Sequence, residues 1–221
     1  EFDRMIHAAL EVSRLPGRES RHRTLELLDN LFPTWVAPSI KGVFGLFPLW
    51  FVARHASLFS VLLTYWLVGK SEIQDADPLL LDPETRKGWG NVPRGWVPGF
   101  LFGAKWGPVV GVSQAVVVEK CRVLEASGCA SVCANVCKAP TQLFFNGVGL
   151  PLTMTPDFET LSCTLVFGAT PPPIEEDDAF KQGCLKTCAL APANMYSQQA
   201  KVDERLEAWR RASSTSTSSS S

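Results

Sequence analysis

Cysteine is missing from the first 120 residues of this 221-residue chain, and histidine is missing after His55. The second absence removes imidazole from any metal site built in the back half, where the cysteines lie. Net charge is almost missing too: 21 Lys and Arg against 22 Asp and Glu leave −1, without the basic excess of a dedicated nucleic-acid binder. The chain has no P-loop, no Rossmann glycine signature and no H-E-x-x-H, so nothing marks a nucleotide or zinc-protease site. It has no Asn-x-Ser/Thr acceptor, which disfavours a secreted glycoprotein. It begins at Glu1 without a basic stretch followed by an apolar one. The expectation is a fragment or processed form whose targeting segment is not present.

What is present is lopsided. All seven cysteines fall between Cys121 and Cys188, and six of seven tryptophans between Trp35 and Trp106. A 46% hydrophobic fraction supports a real core, and the length suits one domain with extensions.

The patterning predicts an α+β protein, mostly helical, with a small β-hairpin in the cysteine-rich C-terminal half. Met5, Ile6, Ala9, Leu10 and Val12 give a helix over 4–14 closed by Pro16-Gly17, and Ser20 is a candidate cap for a second helix stopped by Pro33. The region 36–68 is greasy, interrupted by Pro38, Pro48 and Arg54-His55. Its last part, 57–68, reads as a helix too short to cross a bilayer, which takes about 20 residues, so no transmembrane helix is expected. A core helix or one at a membrane surface fits better. Residues 1–74 form an apolar helical part and 75–111 a Gly/Pro/Trp-rich loop insertion. Residues 112–195 form the cysteine-rich domain, 196–212 a charged helix and 213–221 a disordered Ser/Thr tail. Within 112–195, Val116–Val118 is a short strand, 119–127 a helix closed by Gly128, and 129–138 a helix stopped by Pro140. Strands at 152–155 and 161–167 form the hairpin.

The cysteine spacing is C-x7-C-x3-C-x3-C from Cys121 to Cys137, then Cys163, then C-x3-C at Cys184 and Cys188. On a helix, Cys129, Cys133 and Cys137 share a face, with neighbours rising about 6 Å. Adjacent pairs there, with Cys184 and Cys188, offer the four thiolates of an iron–sulfur cluster or structural zinc. Zinc lacks a C-x2-C knuckle here, and disulfides are disfavoured by the odd count and by cysteines aligned along one helix. The spacing alone leaves iron, zinc, disulfides and merely buried thiols open. Gly111-Val112-Ser113-Gln114-Ala115 lacks the last glycine of a nucleophile elbow and reads as chance. The acidic run Glu175–Asp178 reads as a solvated helix start, with proton donation as the sharper alternative.

Read as a whole, the back half resembles a known family. The residues are Glu119-Lys120-Cys121-Arg122, then Cys129-x3-Cys133-x3-Cys137-Lys138-x-Pro140-Thr141-Gln142-x-Phe144-Phe145, Pro151-Leu152-x-Met154-x-Pro156-x-Phe158 and Ser162-Cys163. They continue through Phe167-Gly168, Pro171-Pro172-Pro173, Asp177-Asp178 and Cys184-Leu185-x2-Cys188, with Trp66-Leu67-x-Gly69-x-Ser71-Glu72 upstream. This pattern is similar to the plant and algal β-carotene isomerases of strigolactone synthesis, the dwarf-twenty-seven-like proteins. About 75 residues match closely and about 150 loosely. Ala189 stands where the family has proline after its last cysteine, and the 75–111 insertion is longer than in the plant enzymes. These departures suggest an algal or divergent member.

The resemblance implies a plastid protein that interconverts all-trans and 9-cis β-carotene, or acts on another carotenoid, with iron or an iron–sulfur cluster as cofactor. Its partners would be an apolar carotenoid and, peripherally, plastid membranes, with no nucleic acid. Cys129, Cys133, Cys184 and Cys188 are the expected metal ligands, with Cys137 as the alternate. No catalytic residue is assigned. The rival from another class is a non-catalytic, metal-stabilised carotenoid binder or structural protein.

Overall fold

A computed structural model describes residues 1–31, 36–86 and 111–186. The front is helical: α1 spans Phe2–Ser13, α2 Gly17–Leu31, α3 Val36–Gly45 and α4 Leu49–Val68. Ser20 lies fully buried inside α2, which begins three residues earlier, so it is not the cap. The chain then enters β1 (Ser71–Gln74), a short α5 (Pro83–Arg86), β2 (Ala115–Val118) and α6 (Arg122–Ser127). Gly128 closes α6 in the left-handed region at φ 56°, as its position predicts. A π-helical segment, Val132–Lys138, runs directly into α7, Ala139–Gly147. Strands β3 (Leu152–Pro156) and β4 (Cys163–Phe167) follow, then a 3₁₀ turn, Asp178–Phe180, and α8, Gly183–Lys186. The predicted segments 196–212 and 213–221 lie outside the described residues, as does most of the insertion.

The α+β expectation holds, and the predicted hairpin β3–β4 is part of a larger antiparallel sheet ordered β1-β2-β4-β3. Register alternation explains the sheet's two faces. Val116 opposes Leu165, Val118 opposes Cys163 and Leu152 opposes Phe167. These residues, with Met154, form the face covered by Val52 and Ala53 of α4 and by Phe145 of α7. Ala115 and Val166 point the other way and are covered by Ala76 and Leu81 from the chain after β1.

The greasy segment folds differently from its sequence pattern. α4 begins at Leu49, with Pro48 as its N-cap, and passes through Arg54-His55 without a break. Proline is harmless at a helix start because its missing N–H has no intrahelical partner there. At 20 residues α4 is long and apolar enough to cross a membrane, so the length argument against a span fails. Tertiary contacts hold α4 to the sheet instead: Gln114 Nε2 donates to Trp50 O at 2.9 Å, and Ser57 Oγ donates to Ser113 O. Gln114 is fully buried and also accepts from Gly111 N at 2.8 Å, so the near-match to a nucleophile elbow is a structural turn.

Candidate functional site

The helix carrying Cys133 and Cys137 continues past the proline expected to stop it. A proline in an α-helix collides with the carbonyl four residues back and lacks the donor for it. Here the backbone has widened to the π register, and Ala139 N–H reaches Ala134 O, five residues back. Pro140 then falls in the first turn of α7, where it is tolerated. Such π insertions are rare and collect at functional sites.

Two groups converge on this segment. The first is a set of thiols. Cys163 is buried on β4, and Cys121 and Cys137 pack against the same core. Burial pushes the Cys137 thiol up to about 12, with the neighbouring Cys121 adding to the shift. Burial likewise raises Cys133, helped by Cys137, Cys163 and Cys121, while the Lys138 ammonium pulls the other way. Cys163 is raised by the same causes, again with Lys138 opposing. Cys121, Cys133, Cys137 and Cys163 therefore sit within electrostatic reach of one another, in a setting that keeps Cys133, Cys137 and Cys163 protonated.

The second group is an ion pair. Lys138 ends the π segment with its side chain 4% exposed, and Asp177, 6% exposed, approaches Nζ at 2.5 and 2.6 Å. Asp177 Oδ1 also accepts from Ala179 N at 3.0 Å, capping the 3₁₀ turn. The Lys138 ammonium lies 5.7 Å from the centre of the Phe180 ring. The pair thus ties the segment after Pro173 to the π segment. Beside it a cleft of about 260 Å³ runs along edge strand β3, lined by Lys138, Met154, Phe158, Asp177 and Gln182 among others. Gln142 Oε1 accepts from Met154 N at 2.7 Å, fixing α7 to that strand.

The predicted ligands are only partly brought together. Cys133 and Cys137 join the core thiols, Cys129 packs instead near Ile6 and Val132, and Cys184 is exposed on α8. Cys188 lies outside the described residues. Among the described residues, no three His, Cys, Asp or Glu side chains are close enough to hold a metal ion. Lys138, Asp177, Cys121 and Cys163 are the site residues that spacing did not single out. The acidic run splits: Asp178 is exposed, as a solvated helix start would be, whereas Asp177 is buried.

A family model described as "Beta-carotene isomerase D27-like, C-terminal" matches residues 66–176, which take in the sheet, the π segment and the four core thiols. The chain belongs to the D27-like β-carotene isomerase family. Two relatives are named "Beta-carotene isomerase D27, chloroplastic". The Arabidopsis thaliana protein is 35% identical over 191 residues, 85% of this chain and 60% of the relative. The Medicago truncatula protein is 28% identical over 189 residues, 85% of this chain and 63% of the relative. The chain thus spans about three fifths of the length of each. No solved structure matches it. In this D27-like chain the match begins at Trp66, so nearly all of α4 precedes it.

Proposed function

We propose that this D27-like protein is a plastid carotenoid cis/trans isomerase that interconverts all-trans and 9-cis β-carotene. The observation that carries the reading is the family match over the π segment and the sheet on which the buried thiols meet. The names of the two relatives support both the substrate and the plastid location.

Rotation about a polyene double bond requires its bond order to fall transiently, and no net oxidation follows if the electron count is restored. Iron bound by thiolates would supply one-electron exchange of that kind. The donor type fits iron, since thiolates hold iron–sulfur clusters, as they also hold zinc. The arrangement does not, because no three candidate ligands converge among the described residues. Iron therefore stands as a proposal on donor chemistry alone, and no step is derived through it. What the residues do is clearer. Neutral thiols and apolar side chains around the π segment give an uncharged surface, while Lys138 and Asp177 neutralise each other beside the cleft. A water-insoluble polyene would be drawn from a membrane.

The deciding experiment incubates the protein, purified anaerobically, with all-trans β-carotene and separates the isomers by chromatography. Appearance of the 9-cis isomer above a heat-killed control supports the reading. Binding of carotene without conversion would replace it with the non-catalytic binder. Iron, sulfide and zinc measured on the same sample test the cofactor: activity in metal-free protein would remove iron from the proposal.

A further inference from the structure

Opposite the sheet, α4 has a second apolar face. At about 100° per residue, Leu58, Phe59, Leu62, Leu63, Tyr65 and Trp66 fall within an arc about 160° wide. Each is between 47% and 68% exposed. Leu46, 78% exposed, and Phe47 extend the patch at the turn between α3 and α4. Soluble surfaces seldom leave so many large apolar side chains contiguous and open. The segment that carries the patch has charge of one sign. From Asn30 to Ser71 the chain has no Asp or Glu, yet it carries Lys41, Arg54 and Lys70. Lys70 is neutralised by Glu119 at 2.5 Å and Glu72 at 3.6 Å, whereas Lys41 and Arg54 make no salt bridge among the described residues.

We propose that this face of α4 docks on an anionic lipid bilayer, lying flat in the interface without crossing it. An apolar helix face on a segment that carries the cations Lys41 and Arg54 and no carboxylate of its own has the composition that binds anionic headgroups. Tyr65 and Trp66, adjacent at the helix end, are the residue types that settle at the headgroup level. Crossing is incompatible with the fold: Trp50, Val52, Ala53 and Ser57 are buried against the protein. Arg122 Nη1 also donates to Trp66 O at 2.8 Å, holding the helix end to α6. The docking rests on the carotenoid reading only in that a bilayer is where such a substrate dissolves. Its test needs no turnover.

The experiment floats the full chain with vesicles of phosphatidylcholine alone or mixed with phosphatidylglycerol. The expected result is binding to the mixed vesicles that weakens as salt rises. The double variant Leu62→Glu, Leu63→Glu should bind at least about tenfold more weakly, and Lys41→Ala about fivefold. All these positions are exposed, so circular dichroism should match the parent. Failure to float with either vesicle overturns the proposal. So does equal binding by the double variant, or equal binding to both vesicles. A concentration-dependent dimer that the same variant breaks, without flotation, would overturn it in favour of a second copy of the chain. Loss of isomerisation with flotation intact would count against the functional reading alone.

Discussion

Lys138 and Asp177 leave water together, and each charge is tolerated inside because the other is there. Removing one partner strands a buried charge, which costs about 3–5 kcal/mol, whereas replacing both by apolar groups of similar size is often close to neutral. Lys138→Met and Asp177→Leu should each lower the urea midpoint sharply, and the double variant should regain most of the loss. Additive losses would mean that the 2.5–2.6 Å contact carries no coupling. Both residues stood in the motif that carried the resemblance, yet their pairing was not legible, since nothing local links positions 39 apart in sequence. Asp177 and Asp178 are neighbours with opposite fates, one capping the 3₁₀ turn from inside and the other paired with Lys181 at the surface. A run of like charges carries no mark saying which member turns inward.

Among the elements, legibility followed how much of each lay in its own periodicity. The hairpin strands and β2 were readable because β-branched runs are bounded by Gly and Pro. β1, Ser71–Gln74, was not, because a short edge strand with alternate polar residues looks like a loop until its partner β2 is in place. α4 was cut short because Pro48 and Arg54-His55 look like breaks, and a helix apolar on both faces has no period to contradict that. The helix at Cys133 was ended too early because the π register that accommodates Pro140 has no sequence signal. What fixes α4 to the sheet is a fully buried side chain. Replacing Gln114 by Leu keeps the volume but strands Gly111 N–H and removes the side-chain link to Trp50 C=O. The expected loss is about 2 kcal/mol, with faster amide exchange confined to α4 and the turn before β2. Unchanged exchange in α4 would mean that apolar packing alone holds it.

At the scale of the whole molecule, the buried thiols couple stability to pH. Cys133, Cys137 and Cys163 are all held above the ordinary thiol value of 9.0, first by burial and then by neighbouring thiols, Cys121 among them. In the unfolded chain they lose protons near that ordinary value; in the folded chain Cys137 keeps its proton to about 12, and burial raises Cys133 and Cys163 in the same direction. Above pH 9 the unfolded state therefore binds fewer protons, and stability must fall as pH rises. Well above pH 9 the slope approaches about 1.4 kcal/mol per pH unit for each thiol engaged. The chain treated with a chelator should show a flat urea midpoint from pH 7 to about 8.5, then a steep decline. Cys163→Ala should make that decline shallower. The same measurement on metal-loaded protein separates the two accounts of the cysteines. Thiolates held by a metal have already lost their protons, so the alkaline decline would shrink on loading if these sulfurs are the ligands. An unchanged decline, with metal demonstrably bound, would place the metal elsewhere and leave Cys133, Cys137 and Cys163 as core residues.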